Sequence, residues 1–290
     1  MIRGVRWVLA AVLVGLVSLA GAGPAHAEAL LGVTSAKLKI GSLDLGRIAI
    51  LLKFESAAPE VPSSLRFING LAADQTLAGI SIRPATGELY GIGVLGTFVQ
   101  LYRIDAATGF ATPVGAGFNS LRNPDGTRFG FDFNPTIDRI RMISSASQNL
   151  VFHPDTGEVT AAVDVFFAST DPNVGDAPKV ASITYDNSVP NATTTVLRGI
   201  DVGNNALVRI TSSVGEIRTV GTLGFKIKDA PAFDVSGATG IAYAFLVPKG
   251  NNGFSPGLFT IDLTTGLATP IGAPFFGLVT LNGVTELPAP

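Results

Sequence analysis

LYRIDAATGFATPVG (residues 101–115) and LFTIDLTTGLATPIG (residues 258–272) are two copies of one unit, identical at nine of fifteen positions. The differences include Tyr/Phe and Val/Ile exchanges, which keep strand character. Leu101 to Ile104 alternates apolar and polar, the pattern of a half-buried strand. Asp105 can accept hydrogen bonds from the backbone that follows it and start a turn. Thr108-Gly109 then supplies the residue that tolerates positive φ. Phe110 to Val114 returns as the next strand, and Pro113 confines it to an edge or a bulge. Asp155-Thr156-Gly157 repeats the turn, and Ala85-Thr86-Gly87 is a related one.

A second element precedes each unit: GISIRP from Gly79, GFDFNP from Gly130, ASITYD from Ala181 and AFDVSG from Ala232, each start 51 residues after the last. A period near fifty with several short strands per repeat is the signature of a propeller blade. Blades are expected over 79–118, 129–167, 180–223 and 231–273. Residues 46–70 read as later strands of a blade and 278–287 as an inner strand, so the chain ends together close a fifth. The expected fold is all-β, a five-bladed β-propeller without exposed edges. Residues 28–45 fit either an added strand or a loose leader.

Arg3 and Arg6, an apolar run from Trp7 to Ala20, and Ala25-His26-Ala27 have the form of a secretory signal peptide over residues 1–27. Its removal would take the formal charge from −2 to −4, because the segment holds two arginines and no acid. That balance, with no Lys/Arg cluster, argues against nucleic acid and anionic membrane as partners. The expected product is a soluble, secreted or periplasmic protein without membrane insertion. The chain has no cysteine, so disulfides and thiolate chemistry are excluded and stability must come from the core.

GISIRPATGELYGIG, LYRIDAATGFATPVG, FGFDFNPTIDRIRMISSASQNL and HPDTG together resemble the bacterial domain-of-unknown-function family numbered 4394. The resemblance runs from about Lys53 to Gly283, and residues 132–141 carry its most specific motif. It implies an exported, repeat-built, propeller-like protein and brings no reaction. The family's Asn-Leu-Arg-Leu-Asn-Pro reads Asn149-Leu150-Val151-Phe152-His153-Pro154 here, so no arginine role carries over to position 151.

The densest polar cluster is Asp132, Asn134, Asp138, Arg139 and Arg141, followed by Gln148 and Asn149. Asp132 and Asn134 alternate along an inner strand and project the same way. Their oxygens could ligate calcium, or Arg139 or Arg141 could clamp a sugar acid. The structural alternative is a turn at Asn134-Pro135-Thr136, with Asp138 paired to Arg139 or Arg141 or bound to turn backbone. Asp234 repeats Asp132, and Ser81 stands at the same repeat position, which makes Asp132 and Asp234 candidate axial calcium ligands. No other cofactor is expected.

Other motifs point away from catalysis. Asp171-Pro172-Asn173-Val174-Gly175-Asp176 lacks the bidentate glutamate of an EF-hand and reads as a loop. Gly91 to Gly96 matches G-x-G-x-x-G literally, but a strand rather than a helix follows. After signal removal His153 is the one histidine left, so neither a multi-histidine zinc site nor a triad is expected. A paired-carboxylate glycosidase needs two acids flanking a bond, and acids here are sparse and mostly occupy the repeated turns. Asn191-Ala192-Thr193 has the form of a glycosylation sequon. The leading expectation is a non-enzymatic protein that binds a ligand, protein or glycan through its loop faces. The alternatives are a calcium-dependent hydrolase of a small lactone, ester or sugar at the axial channel, and a cell-surface matrix component.

Overall fold

The computed structural model describes residues 27–40, 43–119, 121–122, 128–250, 253–277 and 279–288. The expected signal peptide lies outside them except for Ala27.

The chain begins with three antiparallel strands, β1 (Ala29–Ile40), β2 (Leu43–Glu55) and β3 (Ala58–Ile68). Residues 28–45 therefore hold an added strand. Blade one follows as β4 (Thr76–Ile82), β5 (Leu89–Leu95), β6 (Phe98–Ile104) and β7 (Ala111–Asn119). Blade two is β8 (Phe129–Asn134), β9 (Arg139–Ser144), β10 (Asn149–Phe152) and β11 (Val159–Ala161). The short β12 (Phe166–Phe167) then crosses over, pairing parallel to the outermost strand of blade three. Blade three is β13 (Val180–Tyr185), β14 (Leu197–Asp201), β15 (Ala206–Thr211) and β16 (Glu216–Thr222). Blade four is β17 (Ile227–Val235), β18 (Ala242–Pro248), β19 (Gly257–Ile261) and β20 (Ala268–Gly272). Finally β21 (Gly283–Glu286) pairs with β1 and becomes the inner strand of the N-terminal sheet.

The result is the five-bladed propeller expected from the repeat, closed by strands from both chain ends. Each inner strand packs beside the next, in the order β4, β8, β13, β17, β21 and back to β4. Pro113 and Pro270 both sit in outermost strands, where a missing N–H leaves no ladder bond unmade.

Leu101, Tyr102 and Ile104 are all buried, so the strand is covered on both faces rather than half-buried. Every blade is wedged between two others. Leu101 packs with Phe131 and Ile140 of blade two, while Tyr102 packs with Leu31 and Leu51 of the N-terminal sheet. At the remaining seams Ile143 shares a cluster with Ile183, Ile200 with Phe233, and Phe245 with Leu30. Burying one such side chain is worth about 1.5–3 kcal/mol.

The turn read from the sequence is built as anticipated. Asp105 Oδ1 accepts from the N–H of Ala107 (2.8 Å) and Thr108 (3.1 Å), and Asp262 treats Thr264 and Thr265 alike (2.8 and 3.0 Å). Gly109 has φ 76°, and a Cβ there would stand 2.4 Å from the Phe67 carbonyl. The same Gly N–H to carbonyl bond, four residues back, closes turns ending at Gly87, Gly157 and Gly240. In these the first residue is Arg83, His153 or Ser236 instead of aspartate.

One register reading needs correction. The constant 51-residue spacing aligns Ile183 with Asp132, yet the residue doing the same job in blade three is Thr184. A bulge between Val180 and Ser182 absorbs the extra residue. A one-residue slip flips every side chain to the other face, so Ile183 packs against blade two.

Candidate functional site at the axial mouth

Where five blades converge, neighbouring inner strands come too close for large side chains. One layer of inner-strand positions holds Gly79, Gly130, Ser182, Ala232 and Gly283. A Cβ on Gly130 would meet the Ile183 nitrogen at 2.5 Å, and one on Gly283 would meet the Ile80 nitrogen at 2.7 Å. Two residues further along come Ser81, Asp132, Thr184, Asp234 and Thr285. Inner strands expose an unpaired edge, and a buried N–H without a partner costs about 1–3 kcal/mol.

This polar layer supplies the partners. Asp132 Oδ2 accepts from the Tyr185 N–H at 2.5 Å and Thr184 Oγ1 from Val235 at 3.0 Å. Asp234 Oδ2 accepts from Glu286 at 2.7 Å and Thr285 Oγ1 from Ile82 at 3.3 Å. At the fifth seam the Ser81 hydroxyl donates to Asp132 Oδ1 at 2.7 Å. The ring stitches each blade to the next. Sequence reading found Asp132, Asp234 and Ser81; Thr184 and Thr285 were missed because the layer repeats a side-chain oxygen, not a residue type.

Burial raises both acids. Asp132 is pushed up to about 6 by desolvation, against the opposing pull of Ser81 and the Tyr185 N–H. Asp234 lies well above the ordinary range through desolvation and the charge of Asp132. Glu286 is also raised, again chiefly by desolvation.

Above this ring opens a cavity of about 430 Å³. Asp132, Asp234, Thr285 and Glu286 contribute its polar lining, and Pro84, Ala85, Val189, Pro190 and Ala238 its apolar walls. Among the described residues no lysine, arginine or histidine lines it. Among the described residues, no three or more Asp, Glu or His stand grouped as a metal shell. Calcium takes six to eight oxygens, and oxygens of both acids are already engaged by backbone or Ser81.

The other sequence candidates lie elsewhere. Asn134 Oδ1 caps its own turn, accepting from the Thr136 N–H (3.0 Å) and hydroxyl (2.7 Å). Asp138 pairs with neither Arg139 nor Arg141 but with Arg83 of blade one. Arg83 also reaches Asp155 at 2.7 Å, so one buried guanidinium joins two turns of blade two to blade one. Both acids favour its charged form and raise it further. Arg139 Nη1 donates to the Asp138 carbonyl at 2.9 Å. Arg141 is buried, donating to the Tyr185 hydroxyl (2.9 Å) and Asn149 Oδ1 (2.7 Å). Asn149 passes the bond on to the Val163 carbonyl at 2.9 Å. Gln148 Oε1 accepts from the Arg122 N–H at 2.9 Å. His153 Nδ1 takes the Asp155 N–H at 3.2 Å, replacing the aspartate of the repeated turn. The Arg83 hub was not anticipated; the signal was an arginine at the turn position elsewhere held by Asp, His or Ser.

A second unanticipated network sits beside the mouth. Glu28 accepts from the hydroxyls of Ser236 (2.6 Å), Thr239 (2.9 Å) and Tyr243 (2.6 Å). Glu286 takes the N–H of Gly237 at 2.8 Å. Both end strands of the chain therefore grip the same turn of blade four.

A family model described as "Domain of unknown function (DUF4394)" matches residues 50–284. No curated protein matches the chain. Among solved structures, a protein of unknown function from Bacteroides thetaiotaomicron aligns at TM-score 0.50 and 15% identity, over 88% of this chain and 60% of that one. A chain of a nidogen/laminin complex aligns at TM-score 0.50 and 11% identity, over 91% and 99%. Myxococcus xanthus glutaminyl cyclase aligns at TM-score 0.46 and 10% identity, over 75% and 88%. These likenesses are of fold alone. Among the described residues no helix is long and apolar enough to cross a membrane.

Proposed function

We propose a function for a chain that belongs to the DUF4394 family: an exported propeller that captures a small, positively charged ligand in its axial mouth without turning it over. The observation that carries this is the cavity of about 430 Å³ with apolar walls, three acids and, among the described residues, no basic side chain in its lining. Pockets of this size, mostly apolar with a few convergent polar groups, suit small molecules. The acids there are raised because burial leaves their charge uncompensated. An amine or quaternary ammonium would supply the missing charge, while its alkyl part would lie against Pro84, Val189 and Pro190. Export rests on the form of residues 1–27.

The sign of the pH dependence follows. The folded protein holds the Asp132 proton more tightly than the unfolded chain does, so unliganded stability falls as pH rises from the ordinary carboxylate range through about 6. A cation binds the ionised form, so its affinity climbs over the same window. Thermal unfolding with butylamine, choline or calcium chloride tests this at pH 4.5 and 7.5. A ligand in hundredfold excess over its Kd stabilises by about 2.7 kcal/mol. The expected result is a rise in Tm with an organic cation at pH 7.5, absent at pH 4.5 and lost in Asp234→Asn. A rise with calcium alone, lost in Asp132→Ala, would favour the calcium-dependent hydrolase and direct assays to lactones and esters. No shift with any of the three would end the cation reading.

A further inference from the structure

Arg198, Arg209 and Arg218 stand side by side across blade three, because the register places Arg198 opposite Arg209 and Arg209 opposite Arg218. Residues directly opposite share a face, and like charges so placed repel. The two outer arginines are answered. Arg198 is paired with Asp186. Arg218 holds Glu216 at 2.8 Å and also donates to Thr170 Oγ1 at 2.9 Å. The middle one is not: Arg209 is exposed and, among the described residues, makes no side-chain hydrogen bond or ion pair. A row of three guanidiniums with two acids leaves one anion position open.

A second observation indicates what surrounds that anion. Arg209 contributes to the lining of a cavity of about 400 Å³, together with Thr193, Thr194, Thr195, Ser212 and Ser213. Hydroxyls both donate and accept, which matches a polyol. Asn134 lines the same cavity; its Oδ1 is occupied by Thr136, while its amide nitrogen has no partner among the described residues. This cavity shares no lining residue with the axial mouth.

We propose that blade three carries a second site, which takes a saccharide bearing one carboxylate or sulfate per ring, with Arg209 as its anion receptor and the Thr193, Thr194, Ser212 and Ser213 hydroxyls around the ring. The planar guanidinium matches either anion in a bidentate fashion.

Isothermal titration of the full chain with trigalacturonate, with a sulfated glucose trisaccharide and with neutral maltotriose tests it. At least one acidic saccharide should bind, more weakly as salt is raised, and about tenfold or more better than maltotriose. Arg209→Gln should remove that advantage without lowering Tm, and Asp234→Asn should leave it intact. Which acidic saccharide binds distinguishes carboxylate from sulfate recognition. Binding by neither, equal binding of maltotriose, or full retention in Arg209→Gln would each overturn the proposal. None of these outcomes depends on what occupies the axial mouth.

Discussion

The exposed hairpin turns and the axial ring use the same side chain for the same bond and obtain opposite electrostatics. Asp105 and Asp262 each accept backbone N–H groups in the open, and those bonds hold their carboxyls below the usual range. Asp132 and Asp234 also accept backbone N–H groups, but between converging strands, where desolvation outweighs the bonds and lifts both acids. Hydrogen bonding alone does not set the charge state of a carboxylate; the amount of water it has lost decides which effect wins. The turns are closed by an acid that is comfortable when ionised. The ring acids resist ionising, and they line the cavity at the axial mouth, where a ligand's charge would matter.

The sharpest way to break this comparison is to remove the ring acid. Asp132→Ala leaves the buried Tyr185 N–H and the Ser81 hydroxyl without their acceptor, and should cost roughly 3 kcal/mol in urea unfolding. A loss no greater than that of a surface substitution would mean that water restores the seam. Gly130→Ala comes next: with a Cβ 2.5 Å from backbone nitrogen, overpacking at the axis should cost about 2 kcal/mol. Gly87→Ala sharpens the contrast, because nothing lies within 4 Å of its Cβ and only the φ of 74° is strained. It should cost about 1 kcal/mol, and a reversal of these two glycines would contradict the picture of a crowded axis and an open turn at Gly87. Asp105→Ala should have the smallest effect in the same assay, since the Gly109 N–H to Asp105 carbonyl bond survives it.

The sequence spelled out what is local. A turn with an Asx cap and a positive-φ glycine is encoded within five residues, and its repetition gave blade number and closure. The axial layer is not local. Its members sit about fifty residues apart, differ in type, and are related only by where five strands converge. Equal spacing even misled at blade three, since a bulge near Ala181 changes which side chain faces blade four while leaving the repeat text intact. Arg83 shows the same limit from another side. Nothing near it in sequence announces Asp138 and Asp155, 55 and 72 residues away. Of the polar cluster at 132–149, the residues were legible but their partners were not, because packing between blades, rather than spacing along one strand, assigns them.

The pairing of β1 with β21 joins Val33 to Gly283. This contact spans nearly the whole chain, so it is among the last available to a chain that emerges from its N-terminus. Until Gly283–Glu286 arrives, the N-terminal sheet has no inner strand, and Thr285 and Glu286 are missing from the ring and the mouth. Loss of that strand would bare an edge of β1 and strip Thr285 and Glu286 from the cavity lining, so closure of the ring and completion of the mouth are one event.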